Sequence, residues 1–499
     1  MGLPRIPLLL VPVLLSSGSV ALADPRCRAD GWCWLNPLPQ GNSLLDVYAA
    51  SASDAWAVGD RGTLIHWDGK AWTPADSGVP ERLRAIAGHG ASDVWAVGDR
   101  GVALHFDGTQ WRAHPLPAKQ PLLDVWVSPT GKAWVVAEGR VAAAGSPGVP
   151  GLVARWDGSD WRTLSPADLG FQTVWGSDDR NVWIGGGEKE PLRRWDGVRW
   201  TPLPLPDGVS AEGVRVARVR GLSPRDVFVI FSPAAGEGSL DAFAWNGRGW
   251  SRLPATFTAA GGVWGLDDLW APSRSRVWLR SSFSRGPVSP WHLVERGGVW
   301  AVERPELSGM DPRRLGGASD DDGWAVGDCG SLAHWNGRGW QVVSHNPAAT
   351  PPPEPQGPRS VLWYDLTNPR LSGGKLWLTG TWPAPGDSEP VARASFVVDL
   401  AAATFASGKA PSLAPLKGCE RRSFENGRGD RWELRQVGSS PEGATLVSHS
   451  IDGKKQPDVA FPRLEGAWVD ERGAFWAWGD CGTVVTDPPA SRQGQPAAR

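Results

Sequence analysis

The chain has 499 residues, with 51 Lys or Arg against 53 Asp or Glu, and 41% of its residues are hydrophobic. It is too apolar for a disordered chain and, with 63 Gly and 45 Pro, too rich in helix-breaking residues for a helical one. The near-neutral charge disfavours nucleic acid as a partner, because proteins that bind phosphates need a basic surface. The 32 Trp residues indicate a structural module that is copied many times.

The first 23 residues have the features of a secretory signal peptide. A short apolar run that contains Pro7 and Pro12 precedes Ala21-Leu22-Ala23, which matches a cleavage site. The run is too short to span a bilayer, and no later segment approaches that length. We therefore predict cleavage near Ala23, a mature protein that is secreted, periplasmic or held at the cell surface, and no membrane span.

The positions of the cysteines are compatible with disulfide formation in an exported protein. All five cysteines follow the predicted cleavage site, and we expect two disulfides, with Cys419–Cys481 and Cys27–Cys33 as the candidate pairs. The chain has no C-x-x-C motif, so zinc and redox chemistry have no support. The full set is Cys27, Cys33, Cys329, Cys419 and Cys481.

One repeat dominates the chain, and its clearest copy predicts four short strands. These are Leu83–Gly88, Asp93–Val97, Val102–Phe106 and Gln110–His114, which we name strands A, B, C and D of a unit. Asp107-Gly108 between C and D is typical of a two-residue hairpin, since Gly accepts positive φ without a Cβ clash.

An aromatic residue marks strand B in ten units with a period of roughly 47 residues, which is typical of propeller repeats. Both faces of strand B are apolar, as expected of sheets packed face to face in a β-propeller. The strand B aromatics are Trp56, Trp95, Trp134, Trp183, Phe228, Trp278, Trp324, Trp377, Trp432 and Trp476. A Gly-x-x-Trp rule marks strand D at Trp72, Trp111, Trp161, Trp200, Trp250, Trp300 and Trp340.

The two ends of the chain complement each other. The last unit runs Leu464–Val469, Ala474–Gly479 and Gly482–Thr486 and lacks strand D, whereas Asp30-Gly31-x-x-Trp34 matches strand D but precedes the first strand A. We predict that the Trp34 strand completes the last unit and closes one ring of about ten units.

Two smaller fused propellers are the alternative, with an internal boundary at 346–360. On either interpretation 24–486 is all-β propeller and 487–499 is a disordered tail.

The repeats, Val-Trp-Ala-Val-Gly-Asp followed by His-Trp-Asp-Gly-x-x-Trp, resemble those of secreted bacterial β-propeller proteins. They are also similar in style to tectonin-type lectin repeats, a resemblance that implies glycan binding between blades. Because propellers host unrelated functions, the resemblance indicates a fold rather than an activity.

Several polar residues recur at equivalent positions, and each has a structural explanation. Equivalent positions of separate blades are spread around a ring and rarely converge on a metal, so strand C is expected to hold structural polar residues. Asp residues in the B–C turn and before strand B are expected to bond their own turn amides rather than bind cations. The strand C residues are His66, His105, His334, Arg155 and Arg194; the B–C turn residues are Asp60, Asp99, Asp328 and Asp480; and those before strand B are Asp54, Asp93, Asp226 and Asp322.

A sialidase would need a Tyr nucleophile, and only Tyr48 and Tyr364 are present, both in expected A strands. The Ser-x-Asp box common in that family has no clean copy, and no Gly-x-Ser-x-Gly elbow occurs. We assign no catalytic, cofactor-binding or metal-binding residue.

The sequence therefore favours a non-catalytic propeller that binds a protein partner or a cell-surface glycan, with a glycoside hydrolase acting in the funnel as the alternative. Ligand contacts are expected in the funnel and at the largest insertions, because loops on a rigid scaffold vary without unfolding it. The insertions are Glu138–Pro150, Ser232–Ser239 and Asn346–Pro358.

Overall fold

A computed structural model gives the arrangement of the chain. It describes residues 33–36, 41–137, 139, 149–165, 170–186, 190–212, 214–233, 241–254, 265–282, 290–307, 312–343, 365–372, 375–382, 392–399, 404–407, 423–425, 429–437, 444–451, 453–456, 458–469, 474–479 and 483–487.

The described chain forms ten antiparallel sheets, nine of four strands and one of five. In eight of the sheets the strands pair consecutively as a meander, and every pairing is antiparallel, which confirms the all-β class. The strands are β1 Cys33–Asn36, β2 Leu44–Ser51, β3 Asp54–Gly59, β4 Leu64–Trp67, β5 Trp72–Ala75, β6 Leu83–Gly88, β7 Val94–Gly98, β8 Ala103–Phe106, β9 Trp111–Ala113, β10 Leu122–Val127, β11 Ala133–Ala137, β12 Leu152–Trp156, β13 Trp161–Thr163, β14 Phe171–Asp178, β15 Asn181–Gly186, β16 Leu192–Trp195, β17 Trp200–Pro202, β18 Val214–Ser223, β19 Asp226–Pro233, β20 Asp241–Trp245, β21 Trp250–Arg252, β22 Gly265–Ser273, β23 Arg276–Ser282, β24 Trp291–Arg296, β25 Val299–Glu303, β26 Pro312–Ser319, β27 Asp322–Gly327, β28 Leu332–Trp335, β29 Trp340–Val342, β30 Asp365–Ser372, β31 Lys375–Trp382, β32 Ala392–Asp399, β33 Thr404–Ser407, β34 Ser423–Glu425, β35 Arg431–Val437, β36 Ala444–Ile451, β37 Lys454–Lys455, β38 Val459–Pro462, β39 Leu464–Val469, β40 Phe475–Gly479 and β41 Val484–Asp487.

The sheets are numbered by chain order. Sheets 1 to 8 are β2–β5, β6–β9, β10–β13, β14–β17, β18–β21, β22–β25, β26–β29 and β30–β33, and sheet 9 is β34–β38. Sheet 10 is β39–β41 completed by β1, which pairs antiparallel with β41, Trp34 opposite Val485. The predicted strand exchange between the two ends of the chain is therefore present.

The C–D turn differs from the two-residue hairpin predicted. Phe106 pairs with Trp111, so the loop holds four residues, and the backbone N–H of Asp107 donates to the carbonyl of Gln110. The Asp107 carboxylate accepts from the amides of Thr109 and Gln110 at 2.9 and 3.0 Å. The aspartate therefore closes an Asx-type turn, and the glycine that follows it has φ near 91°.

Tryptophans interlock neighbouring sheets. The strand D Trp of one sheet meets the strand B Trp of the preceding sheet edge to face, an arrangement that suits the ring quadrupoles. The centroid distances are 5.1 Å for Trp56–Trp111, 5.4 Å for Trp95–Trp161, 6.1 Å for Trp134–Trp200, 6.3 Å for Trp183–Trp250 and 5.3 Å for Trp278–Trp340.

The same interlock joins sheet 7 to sheet 1. Trp72 of sheet 1 meets Trp324 of sheet 7 at 5.0 Å with an interplanar angle of 87°, and both are buried in one cluster with Leu44 and Val326. In a single ring of ten, sheet 10 rather than sheet 7 would be the neighbour of sheet 1. The structure thus corrects the preference for one ten-unit ring: sheets 1 to 7 pack as a closed set, which we name the seven-sheet ring.

Sheets 8 and 9 both pack on sheet 10. The first strands of sheets 8 and 9 contact the first strand of sheet 10, and Phe424 and Trp432 of sheet 9 share a buried cluster with Phe475 and Val485 of sheet 10. This arrangement agrees better with the alternative of two smaller units.

Several predictions fall outside the described residues. These are the signal peptide 1–23, the internal boundary 346–360, residues 488–499 of the predicted tail and the side chains of both candidate disulfides. Among the residues that are described, no helix is long and apolar enough to cross a membrane.

Candidate functional site

The first strands of sheets 1 to 7 contact one another around the ring and line its central channel. In each of these seven sheets the pairing between the first and second strands shifts register immediately before one inward residue of the first strand. Six of these seven residues are charged or polar. We name these residues the charged layer: Asp46, Ala85, Asp124, Thr173, Arg218, Asp268 and Arg314.

Side chains of the charged layer bond the backbone of the following sheet. An innermost strand has one edge with no strand beside it, so its amides need other acceptors. The bonds run from Ile86 N to Asp46 at 2.9 Å, Val174 N to Asp124 at 3.0 Å, Val219 N to Thr173 at 3.2 Å and Leu315 N to Asp268 at 2.7 Å.

Arginines neutralise two of the three carboxylates. Arg220 donates to both oxygens of Asp124, at 3.0 and 3.2 Å. Arg218 lies between Asp268, at 3.1 Å, and Asp124, at 3.6 Å. Arg314 reaches Asp268 at only 3.8 Å. Asp124 and Asp268 are thus held in ion pairs across the channel, where unpaired buried charge would be costly.

The carboxylates of the layer differ in pKa. Burial raises the pKa of Asp46 from 3.8 to about 6, against the opposing effect of Arg314, Arg218 and Arg220. Burial also opposes ionisation of Asp124, but the charges of Arg220 and Arg218 outweigh it and lower the pKa of Asp124. Asp46 has no arginine within ion-pair distance among the described residues, so its charge is the least compensated of the layer.

The next inward position, two residues along each strand, forms a second layer. In four sheets it is an aromatic ring that lies against a glycine of the following sheet, and a Cβ on that glycine would come within 2.6–2.7 Å of the ring. These pairs are Tyr48–Gly88, Trp126–Gly176, Trp175–Gly221 and Trp270–Gly317. The remaining members of this covering layer are Ala87, Arg220 and Gly316.

Tyr48, one of the two tyrosines considered as a nucleophile, is tied to the next sheet. Its hydroxyl accepts from the amide of Gly90 at 2.9 Å, and burial raises the pKa of the phenol. A phenol held in this way is not activated for attack. Tyr364 lies outside the described residues.

The strand C histidines are structural. Each lies against the ring of the strand B Trp opposite and bonds the Asp that precedes strand B, so the histidines do not converge. The pairs are His66–Asp54 at 2.8 Å, His105–Asp93 at 2.9 Å and His334–Asp322 at 2.7 Å. Arg155 and Arg194 occupy the same register opposite Trp134 and Trp183.

The sequence interpretation missed a fourth histidine of this kind. His292 stacks on Trp278 at 4.1 Å and lies 3.2 Å from Glu303, which takes the part of the aspartate. Its sheet lacks the His-Trp-Asp-Gly motif, so only alignment on Trp278 would have found it. Across the described residues no group of three or more His, Cys, Asp or Glu is arranged to hold a metal ion.

The turn aspartates also have partners. Asp60, Asp99 and Asp328 pair with Arg82, Arg84 and Arg313. Asp226 accepts from the Ser223 hydroxyl at 2.6 Å and lies 3.2 Å from Arg274, whereas Asp480 is outside the described residues. The described turns therefore do not present an uncompensated acidic rim.

A cavity of about 720 Å³ lies between sheet 1 and sheet 9. One wall is the chain around Arg61 and Asp76, and the other includes Lys455, Asp458 and Ala460. Both acids are engaged: Asp76 accepts from the amide of Gly78 at 2.9 Å, and Asp458 lies 3.5 Å from Lys455.

Known structures share the fold. The chain is similar to a GH74 xyloglucanase from Xanthomonas campestris, with a TM-score of 0.51 and 16% identity over 90% of this chain and 74% of that one. It is also similar to YCF48 bound to D1 peptide, with a TM-score of 0.45 and 19% identity over 62% of this chain and 98% of that one. At 16% identity the likeness to the xyloglucanase shows the fold alone. No family model and no curated protein matches the chain.

Proposed function

We propose that this chain is a binding protein without catalytic activity, whose ligand is a protein segment or a glycan. The observation that carries the proposal is the cavity of about 720 Å³ between sheets 1 and 9. Its volume is that of an ordinary ligand pocket, and it lies where two separately packed sets of sheets meet, a favoured place for such pockets.

The lining favours binding over chemistry. Apolar side chains such as Leu446 and Val459 alternate with polar groups such as Gln456, and the acids present are already bonded or paired. A hydrolase needs a carboxylate that is free to donate or accept a proton, and these two acids are held by other partners.

The test measures binding and turnover on the same full-length protein. A glycan array and a pull-down should give saturable binding, and a panel of chromogenic glycosides should give no hydrolysis. Ala460→Arg, which places a long side chain in the cavity, should weaken binding at least tenfold, because it removes the space the ligand occupies. Ala113→Arg, on the exposed β9, is the matched control and should bind normally. Normal binding by Ala460→Arg would exclude this cavity as the site.

A glycoside hydrolase is the second candidate, and one observation favours it. In the channel the pKa of Asp46 is raised to about 6 while that of Asp124 is lowered, and such a divergence is typical of an acid paired with a carboxylate. Against it, Asp124 is 1% exposed and bonded to Arg220. Turnover of any glycoside that disappears in Asp46→Asn would establish the hydrolase and overturn the binding proposal.

A further inference from the structure

The A–B and C–D turns of sheets 1 to 7 lie at one end of the ring, because the first and third turns of an antiparallel meander fall on the same side. Contacts between neighbouring sheets agree with this placement. Lys132 of sheet 3 donates to Asp179 of sheet 4 at 2.6 Å. Arg274 of sheet 6 lies 3.2 Å from Asp226 of sheet 5. The turns of neighbouring sheets therefore form one continuous surface.

Charge is unevenly distributed over this surface. The turns of sheets 1 to 3 hold five aspartates and two lysines, whereas those of sheets 4 to 6 hold five arginines and two aspartates. The surface thus has an acidic half and a basic half. The residues of the acidic half are Asp68, Lys70, Asp93, Asp107, Lys132, Asp157 and Asp160, and those of the basic half are Asp179, Arg180, Asp196, Arg199, Arg225, Arg248 and Arg274.

Most of the positive charge of the basic half is uncompensated. Asp179 is already bonded to sheet 3, and Asp196 accepts from the backbone amides of its own turn at 2.8 and 2.9 Å. Arg199 approaches Asp196 only to 3.9 Å. Among the described residues, three exposed arginines have no carboxylate within ion-pair distance: Arg180, Arg225 and Arg248.

Two of these arginines lie across the C–D turn of their own sheet. A Cβ on Gly197 would come within 3.0 Å of Cγ of Arg180, and a Cβ on Gly247 would come within 2.7 Å of Cγ of Arg225. The residues in the equivalent place in sheets 1 and 2 are serines, Ser53 and Ser92. The turn therefore does not require a long basic side chain, and the arginines call for another explanation.

Two apolar side chains are exposed among the arginines. Val198, in the C–D turn of sheet 4, is 80% exposed, and Leu222, next to the A–B turn of sheet 5, is 45% exposed. Val198 is flanked by arginines, since Arg199 follows it in the chain and Arg180 lies against Gly197 before it. The residue equivalent to Val198 is polar or charged in five other sheets: Lys70, Thr109, Ser159, Arg248 and Arg338.

We propose that the basic half is a second interaction surface, which binds a protein segment that carries acidic and apolar side chains together. A guanidinium binds a carboxylate through two parallel N–H bonds, and apolar side chains of the partner would remove Val198 and Leu222 from water. Arginine beside apolar residues is also typical of protein interfaces. We name the residues that carry the proposal the basic patch: Arg180, Val198, Arg199, Leu222, Arg225 and Arg248.

The composition of the basic patch disfavours an anionic polymer. Phosphates or sugar acids would pair with the arginines but would leave Val198 and Leu222 in water. The patch contains no aromatic ring on which a base could stack. None of its residues lines the cavity between sheets 1 and 9, so the surface is independent of the proposed binding site.

Fluorescence anisotropy of a labelled peptide of alternating Glu and Leu, titrated with the full chain, tests the proposal. The peptide should bind, and its affinity should fall as the salt concentration rises. Arg180→Ser combined with Arg225→Ser should weaken binding about tenfold or more, because two charge-assisted contacts are lost. Val198→Ser, which copies Ser159 of sheet 3, should weaken binding about fivefold through the lost apolar contact.

Arg112→Ser combined with Arg162→Ser is the matched control. It removes the same charge from sheets 2 and 3, where each arginine is paired with a turn aspartate, and it should bind the peptide normally. A peptide of alternating Glu and Ser keeps the charge without the apolar side chains. This peptide should bind more weakly and should not respond to Val198→Ser.

Other results would overturn the proposal. These are unchanged binding by the Arg180→Ser, Arg225→Ser variant with a normal melting temperature, or an equal loss of binding in the control. Binding of heparin or single-stranded DNA that depends on these arginines, when neither peptide binds, would assign the patch to an anionic polymer. Loss of peptide binding in Ala460→Arg alone would place the peptide in the cavity, which would support the proposed function and remove this inference.

Discussion

Replacing Asp46 by asparagine should change how the stability of the seven-sheet ring depends on pH. Burial raises the pKa of Asp46 from 3.8 to about 6, so between these values the folded chain holds a proton that the unfolded chain has released. The group therefore stabilises the fold fully below pH 3.8, and this contribution is lost as the pH rises through 6. The difference corresponds to about 3 kcal/mol of unfolding free energy.

The amide in the Asp46→Asn variant does not titrate, so this part of the pH dependence disappears. It offers one acceptor oxygen where the carboxylate serves the amides of Val47 and Ile86, and losing one of these bonds costs about 1–3 kcal/mol. At neutral pH the stability gained by removing the buried charge of Asp46 and the stability lost with one hydrogen bond are of similar size. The slope with pH, rather than stability at one pH, is therefore the signature to measure.

Urea unfolding at about pH 4, 5, 6 and 7.5, followed by tryptophan fluorescence, makes the comparison. From the lowest to the highest of these pH values the wild type should lose up to about 3 kcal/mol relative to Asp46→Asn. Asp160→Asn, at an exposed carboxyl, should follow the wild type. An Asp46→Asn profile parallel to the wild type would refute the burial argument, and the opposite slope would mean that Asp46 is ion-paired.

Side-chain packing in the seven-sheet ring and strand pairing in sheet 10 lead to three other expected outcomes. Asp124→Leu should destabilise the protein by about 3–5 kcal/mol in urea unfolding, because Arg220 loses its carboxylate partner and the buried Arg218 keeps only Asp268; a cost below about 1 kcal/mol would contradict the ion-pair network. Gly176→Ala should cost about 1–3 kcal/mol because its Cβ would lie 2.7 Å from Trp126, whereas Gly249→Ala has open space and should cost less than about 0.5 kcal/mol. Deletion of 24–40 should expose the edge of sheet 10 and lower its melting temperature, since β1 pairs with β41; unchanged melting would contradict that pairing.

The repeat made the fold predictable. Trp at fixed positions, Asp-Gly turns and apolar strands agree with one another in every clear copy, so the strands of the second unit lie within one residue of their predicted bounds. The pairing of the histidines with aspartates of the same sheet was not predicted, because the aspartates before strand B were expected to bond their own turn amides.

The number of sheets in the ring was not predictable in the same way. Every clear unit carries the same interlocking Trp, so the pattern does not say which sheet meets sheet 1. The channel was missed for a related reason: Asp46, Asp124 and Arg218 vary from unit to unit and appear as unrelated polar residues until the ring brings them together.

The central claim is that sheet 7 packs on sheet 1, because the channel exists only if these sheets meet. A double-mutant cycle with Trp72→Leu and Trp324→Leu tests it, leucine being used because alanine would cost about 3–5 kcal/mol at each site. The rings contact at 5.0 Å, so a coupling energy of about 0.5–1.5 kcal/mol is expected. The pair Trp72 and Trp134, from sheets that are not neighbours, should be additive within about 0.5 kcal/mol. Equal additivity for Trp72 and Trp324 would contradict the seven-sheet ring.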